Sequence, residues 1–197
     1  MRMKDSQAQP QPDSGRERLL RVAEKLFGER GIQAASIRDI AAAAGIRSAT
    51  VYHYFGSKDE LLWCVWERSG LQQRARVEAA IEDIEAPWER FLAACQAHVE
   101  GLLDWGPANQ LVFIVPPWQY PAALKDRIVQ LRDRYESIFV QLVDDLPLRE
   151  NVDRHHLRLA VLGALSWPIY WYSKGRGGTP SSFANEVVDM LRVGVGE

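Results

Sequence analysis

One segment of the chain, residues 124–146, spaces its apolar side chains as an α-helix does. They follow one another at steps of four, three, four, three, four and four positions: Leu124, Ile128, Leu131, Tyr135, Ile138, Leu142 and Leu146. Because an α-helix has about 3.6 residues per turn, this spacing puts all seven on one face. The rest of the chain carries similar helix signals and no alternating strand pattern, so the sequence predicts an all-α fold.

Capping residues and breakers divide the chain into separate helices. Ser14 with Glu17, and Ser57 with Glu60, have the capping-box spacing, in which two side chains satisfy free amides at a helix start. Gly31 supplies a left-handed stop. The predicted helices begin at residues 14, 36, 48, 57 and 87, the fourth runs to about residue 85, and the last two cover about 153–172 and 179–193. Pro168, inside the segment 153–172, is predicted to kink or break it.

Composition places the chain among ordinary globular proteins. It has 197 residues, 47% hydrophobic and 25% charged, with a net charge of -2. Its two cysteines are far apart and lack metal-ligand spacing, which fits a reducing compartment. The longest nearly uncharged apolar run, residues 159–172, is shorter than the roughly 20 residues that span a bilayer. We therefore expect a cytoplasmic protein without membrane contact, whose polar residues 1–13 form a flexible tail.

The strongest functional pattern is residues 36–58, SIRDIAAAAGIRSATVYHYFGSK. A short helix, a glycine turn and a second short helix form a helix-turn-helix, whose second helix enters the DNA major groove. Its alanines leave room for the helices to cross, and residues 1–62 carry a net charge of +2 against -4 for the remainder. The side chains that can contact phosphates or base edges are Arg38, Arg47, Ser48, Thr50, Tyr52, His53, Tyr54 and Lys58. The alternative is that the tyrosines only pack between helices.

These residues resemble the DNA-binding domain of TetR-family transcriptional regulators. The similarity covers about residues 16–62 and includes LFGERG, SIRDIA, AGI and TVYHYFGSKDELL. It implies a homodimer with an N-terminal helix-turn-helix domain, residues 14–62, and a C-terminal helical ligand-binding and dimerisation domain, residues 63–197. It also implies phosphate contacts by Tyr52, Tyr54 and Lys58, and groove contacts by Thr50 and His53. Arg47 stands where the family often has a Ser or Thr helix cap.

The C-terminal segment GALSWPIYWYSKGRGGTP resembles a subgroup of the same family that regulates fatty-acid, steroid or aromatic-acid breakdown. That resemblance implies a repressor released from operator DNA by a small hydrophobic effector, commonly an acyl-CoA thioester, with the last two helices closing the dimer. Aromatic side chains that could line its pocket are Trp88, Phe91, Trp105, Phe113, Trp118, Tyr135, Trp167 and Trp171, although aromatics at helical spacing also build cores. Cations that could hold the CoA phosphates are Arg127, Arg132, Arg134, Arg154 and Arg158.

Other functions fit the sequence less well. A multidrug sensor of the same family would bind organic cations beside Glu100, Asp104 or Glu136. An all-α enzyme would need catalytic residues, and the chain has no GxSxG, no HExxH and no nucleophile–base pair. If the chain were instead a helical partner-binding module, the tyrosine and lysine side chains of the helix-turn-helix would have no role in DNA binding. His155 and His156 are adjacent and point apart on a helix, and His98 stands alone, so we expect neither a metal site nor a cofactor.

Overall fold

The computed structural model describes residues 15–104, 120–173, 175 and 178–196, and within them the chain forms α-helices and no β-strand. The helices are α1 (Gly15–Arg30), α2 (Ile37–Ala43), α3 (Ser48–Phe55), α4 (Lys58–Ile81), α5 (Pro87–Asp104), α6 (Lys125–Asp144), α7 (Arg154–Ser166) and α8 (Pro180–Val195), with 3-10 turns at Ala122–Leu124 and Trp167–Tyr170. The predicted all-α fold is confirmed. None of the described helices has the length and apolar character needed to cross a bilayer. The predicted tail, residues 1–13, and the cap at Ser14 lie outside the described residues.

Helix starts in the N-terminal region follow the capping residues. Ser36 Oγ accepts a hydrogen bond from the Asp39 amide (3.2 Å), and the Asp39 carboxylate accepts one from the Ser36 amide (3.0 Å). Ser57 Oγ accepts the Glu60 amide at 3.0 Å, but the Glu60 carboxylate lies 3.1 Å from Arg127 Nη1 on α6. The capping box predicted at Ser57 is therefore formed by its serine, while its glutamate joins α4 to α6.

The start of α3 has no side-chain cap. Arg47 occupies the N-cap position without a capping hydrogen bond, and Ser48 is the first helical residue. The glycines on either side, Gly45 and Gly56, have φ values of 67° and 62°. Both angles lie in the left-handed region that favours glycine, so these two residues set where α2 ends and α3 ends.

Two helices are shorter than the apolar pattern suggests. α4 ends at Ile81 rather than near residue 85, and α7 ends at Ser166 rather than at residue 172. In the second case Pro168 has no amide hydrogen to continue the α-helical bonding. The chain therefore proceeds as the 3-10 turn Trp167–Tyr170, which is the break predicted at this proline.

Two apolar cores are connected by α4 and α6. The first core joins α1–α3 to the first half of α4 and the start of α6, and the second joins the remainder of α4 and α6 to α5, α7 and α8. Where the two cores meet, a Cβ on Gly70 would lie 2.9 Å from Leu131 Cδ2, closer than real side chains approach. Glycine at position 70 thus lets α4 lie directly against α6. Because both helices enter both cores, a shift between them reaches the N-terminal helices.

Candidate nucleic-acid interface and buried cavity

Helix α3 buries one side and exposes the others. Val51 and Phe55 are four residues apart and buried in the first core, with 0% and 3% of their surfaces exposed. Since successive residues are about 100° apart around a helix, His53 points away from this core, in one row with Ala49. Tyr52 and Tyr54 lie on the two flanks and are exposed by 52% and 41%. A large part of each tyrosine side chain is therefore open to solvent.

Phe55 and Tyr54 also contact helix α1. The Arg16 guanidinium carbon lies 5.1 Å from the centre of the Phe55 ring, within cation–π range. A Cβ on Gly15 would lie 3.0 Å from Tyr54 Oη, so the tyrosine hydroxyl sits beside the start of α1. The exposed edge of Tyr54 is thus held between α3 and α1 while remaining open to solvent.

The cations on this surface have no carboxylate within ion-pair distance among the described residues. Arg38 and Arg47 are exposed, and the half-buried Lys58 lies with its Nζ 3.5 Å from the Gln33 carbonyl oxygen. One nearby carboxylate, that of Asp39, is occupied elsewhere. Asp39, whose pKa is lowered by hydrogen bonds from Ser36, also lies 3.8 Å from Arg30. The surface around α3 therefore presents positive charge to a partner.

A cavity of about 220 Å³ lies between α5, α6 and α7. Its lining combines apolar and polar side chains: His98, Arg132, Tyr135, Glu136, Leu159, Leu162, Gly163 and Ser166. A Cβ added to Gly163 would meet no atom within 4 Å, so this part of the wall is open. The cavity offers an apolar side on α7 and a polar side on α5 and α6.

Four polar side chains form a chain of hydrogen bonds along the cavity wall, which we call the polar chain: Gln73, Tyr135, His98 and Ser166. Gln73 Nε2 on α4 donates to Tyr135 Oη on α6 at 3.4 Å. Tyr135 Oη lies 2.6 Å from His98 Nδ1 on α5, and His98 Nε2 lies 3.5 Å from Ser166 Oγ on α7. The polar chain thus connects four helices and reaches the cavity through three of its members.

Burial keeps the polar chain uncharged. Loss of solvation lowers the pKa of His98 to about 4, and the same cause raises the pKa of Tyr135 above its ordinary value. At neutral pH His98 is therefore a neutral imidazole and Tyr135 a phenol. The polar chain can donate to or accept from an uncharged ligand group, but it supplies no net charge.

Charged side chains cluster at one side of the cavity. Arg132 and Glu136 both line it, and Arg132 Nη2 lies 3.6 Å from the Glu136 carboxylate. Arg158 on α7 is outside the lining and mostly buried, and it donates a hydrogen bond to the same carboxylate. Arg132 also donates to Tyr120 Oη at 3.3 Å. Two guanidinium groups share one carboxylate, so this cluster has an excess of positive charge, and Arg132 is its cation that reaches the cavity.

The structure separates the aromatic residues predicted for the pocket. Tyr135 lines the cavity, and Trp171 lines a second cavity of about 130 Å³ beside Phe183. Phe91 is buried in the second core, with Trp88 packed against it at 6.2 Å between ring centres. Trp167 is 62% exposed on the turn after α7. The other predicted residues, Trp105, Phe113 and Trp118, lie outside the described residues.

The predicted cations are divided in the same way. Arg132 lines the cavity, and Arg158, which is outside its lining, pairs with the lining residue Glu136. Arg127 stacks on Trp63 at 4.1 Å and bonds Glu60, whereas Arg154 donates to the Val143 and Leu146 carbonyl oxygens. Arg134 lines a separate cleft between α4 and α6.

Sequence reasoning did not find Gln73, His98 or Ser166 as site residues. Gln73 and His98 each interrupt an apolar stripe, with Val77 following Gln73 on α4 and Phe91 preceding His98 on α5. A polar residue in the buried stripe of a helix needs a hydrogen-bond partner. A polar residue within an apolar stripe was therefore the sequence signal that could have identified Gln73 and His98.

Comparisons with known proteins give a family match for the N-terminal part of the chain and another for the C-terminal part. Residues 19–63 match the family described as bacterial regulatory proteins, tetR family, and residues 83–195 match the tetracyclin repressor-like C-terminal domain. The HTH-type transcriptional repressor KstR2 of Mycolicibacterium smegmatis is 46% identical over 173 residues, which cover 84% of this chain and 82% of the relative.

Two solved structures share the fold. The ketosteroid transcriptional regulator KstR2 of Mycobacterium tuberculosis superposes with a TM-score of 0.77 at 21% identity, over 97% of this chain and 100% of that one. AibR in complex with isovaleryl coenzyme A and operator DNA superposes with a TM-score of 0.80 at 20% identity, over 90% and 97%. The two family matches and the 46% identity to a KstR2 repressor establish that the chain belongs to the TetR family of bacterial transcriptional regulators.

Proposed function

We propose that this regulator is a homodimeric repressor that binds operator DNA through α3 and is released when an acyl-CoA thioester occupies the cavity between α5, α6 and α7. The observation that carries the proposal is the pairing, in one chain, of a cationic face on α3, whose cations have no carboxylate partner among the described residues, with a cavity whose wall holds the neutral polar chain and the cation Arg132. An acyl-CoA has the matching chemistry, since its phosphates are anionic and its acyl group is apolar with one carbonyl.

Contacts on α3 divide by geometry. The row formed by Ala49 and His53, opposite the core, faces the groove, and Thr50 lies beside it. Tyr52 and Tyr54 on the flanks reach the phosphate backbone, together with Lys58 from the first turn of α4 and Arg38 from α2. Arg47 and Ser48 at the start of α3 complete this surface. Phosphate contacts set affinity, and contacts to base edges set sequence preference.

A short acyl group suits the cavity. Its volume of about 220 Å³ is below the roughly 300–1,000 Å³ of sites that hold drug-sized ligands. Leu159 and Leu162 provide an apolar wall, while Arg132 and Arg158 provide charge for the CoA phosphates. An organic cation is a poorer fit because Glu136, the acidic group of the cavity, already pairs with both arginines.

Helices α4 and α6 connect the two sites. Helix α6 lines the cavity with Arg132, Tyr135 and Glu136, and one turn earlier its Arg127 bonds Glu60 at the start of α4. Helix α4 begins three residues after α3 ends. A ligand that displaces α6 therefore moves the recognition helix, and it lowers DNA affinity to the extent that it prefers the displaced state.

The dimer forms through the end of the chain. Large apolar side chains stay exposed on α7, on the turn after it and on α8: Leu159, Trp167, Tyr170, Trp171, Met190 and Val193. Large apolar side chains left exposed on two helices that contact each other support an interaction surface here. Pairing two copies through it places two α3 helices for successive major grooves of one operator.

Fluorescence anisotropy with DNA from upstream of the protein's own gene tests the proposal. The titration is repeated with isovaleryl-CoA, a CoA thioester of a steroid-derived acid, free CoA, isovalerate and an organic cation. We expect binding tighter than to random DNA, lowered by at least one thioester and unaffected by CoA or isovalerate alone. Release by the organic cation alone would refute the acyl-CoA effector, and equal binding to random DNA would refute the operator.

A further inference from the structure

We infer that the polar chain orients the Ser166 hydroxyl as the donor that recognises the carbonyl oxygen of the effector, and that this serine discriminates an acyl thioester from a ligand without that oxygen. The inference rests on the proposed function and adds a specificity-determining residue to its cavity. Its basis is the direction in which the three hydrogen bonds of the polar chain run.

Gln73 fixes the first bond. Its side chain is 1% exposed, and its Nε2 donates to the Ala97 and His98 carbonyl oxygens and to Tyr135 Oη, at 3.4, 3.1 and 3.4 Å. A Cβ on Gly101 would lie 1.8 Å from Gln73 Oε1, so the amide is seated against the backbone of α5. The two backbone carbonyls orient this amide nitrogen, and Tyr135 Oη accepts from it as a third partner of its two hydrogens.

Tyr135 then donates to His98. The separation between Tyr135 Oη and His98 Nδ1 is 2.6 Å, shorter than the 2.9–3.0 Å usual when nitrogen is the donor and close to the length usual for a hydroxyl donor. With Nδ1 as acceptor, a neutral imidazole carries its hydrogen on Nε2. That hydrogen points to Ser166 Oγ at 3.5 Å.

Ser166 is the end of the polar chain and lines the cavity. Because its oxygen accepts from His98, its own hydrogen is directed into the cavity, where Leu159 and Leu162 form the apolar wall. Donors that all run one way polarise each other, so the last hydroxyl becomes a better donor than an isolated serine. A neutral donor beside apolar walls fits a carbonyl oxygen better than it fits a carboxylate.

The test compares isovaleryl-CoA with its thioether analogue, in which a methylene replaces the carbonyl. Isothermal titration calorimetry measures both affinities for the full chain and for Ser166→Ala. We expect the wild type to bind the thioester about three- to tenfold more tightly, the range of one net hydrogen bond. In Ser166→Ala that preference falls to about one, whereas the matched exposed variant Ser137→Ala retains it.

Equal affinity of the wild type for both compounds overturns this inference but leaves the acyl-CoA effector in place. If the wild type binds neither compound, both this inference and the proposed acyl-CoA effector are overturned for isovaleryl-CoA. A second measurement needs no ligand: nitrogen-15 NMR of the His98 ring reports which nitrogen carries the hydrogen. We expect it on Nε2, and a hydrogen on Nδ1 would overturn the proposed direction of the polar chain.

Discussion

The buried histidine makes the stability of the protein depend on pH in a defined direction. His98 is 1% exposed, and burial lowers its pKa from 6.5 to about 4. In the unfolded chain the imidazole takes up a proton near pH 6.5, whereas in the folded chain it stays neutral until near pH 4. The stabilisation is therefore fully present above the unfolded pKa and is lost as the pH falls toward the folded pKa.

The magnitude follows from the two pKa values. At about pH 5, nearly all unfolded molecules carry the proton but only about a tenth of folded ones do, which costs the folded state about 2 kcal/mol relative to about pH 8. Urea unfolding of the wild type and of His98→Asn at both pH values measures this loss of stability. The asparagine oxygen can still accept from Tyr135, so the variant removes the titration while keeping one hydrogen bond.

Two comparisons separate His98 from the other titrating groups. The stability difference between wild type and His98→Asn should shrink by about 2 kcal/mol on going from about pH 8 to about pH 5, since both proteins share every other group. His155→Asn, at an exposed histidine on α7, is the matched control. Parallel pH dependences for wild type and His98→Asn would refute the reasoning.

Three further predictions concern the DNA surface, the cavity and the dimer. Lys58→Ala should weaken binding to all DNA sequences alike and reduce by about one the slope of log affinity against log salt concentration, whereas Thr50→Ala should change the sequence preference. Fluorescence anisotropy at several salt concentrations, on two operators, distinguishes the two effects. An unchanged slope in Lys58→Ala would contradict a phosphate contact. Gly163→Ala should raise the free energy of unfolding by about 0.5–1 kcal/mol, because alanine favours the helix and its Cβ meets no atom within 4 Å. The same methyl enters the cavity, so calorimetry should show weaker isovaleryl-CoA binding, and unchanged binding would place the ligand elsewhere. Leu159→Glu should shift the protein to a monomer in size-exclusion chromatography with light scattering, and a retained dimer would move the interface away from α7.

The buried and exposed sides of α3 could be predicted from the sequence because their determinants are local. Val51 and Phe55 are buried and four residues apart, so they lie on one side of α3, and the side chains between them lie on its other sides. Glycines at positions 45 and 56 have positive φ and set the ends of α2 and α3. Each of these facts depends on neighbours within about two helical turns.

The polar chain could not be predicted in the same way. Gln73 and His98 are 25 positions apart, Tyr135 is 37 beyond His98, and Ser166 is 68 beyond it. Only the packing of four helices brings them together, and helical periodicity says nothing about which helices meet. The end of α7 was also misplaced, because the apolar pattern continues past Pro168 although its α-helical bonding stops.

The most direct test of the account is the affinity for isovaleryl-CoA measured by calorimetry on the free protein and on its complex with the upstream DNA. If occupation of the cavity and binding of the operator oppose each other, thermodynamic linkage requires each to weaken the other by the same factor. We predict that the complex binds isovaleryl-CoA about tenfold or more weakly, and that this factor equals the loss of operator affinity at saturating thioester. Equal affinity for the free protein and the complex would contradict the account.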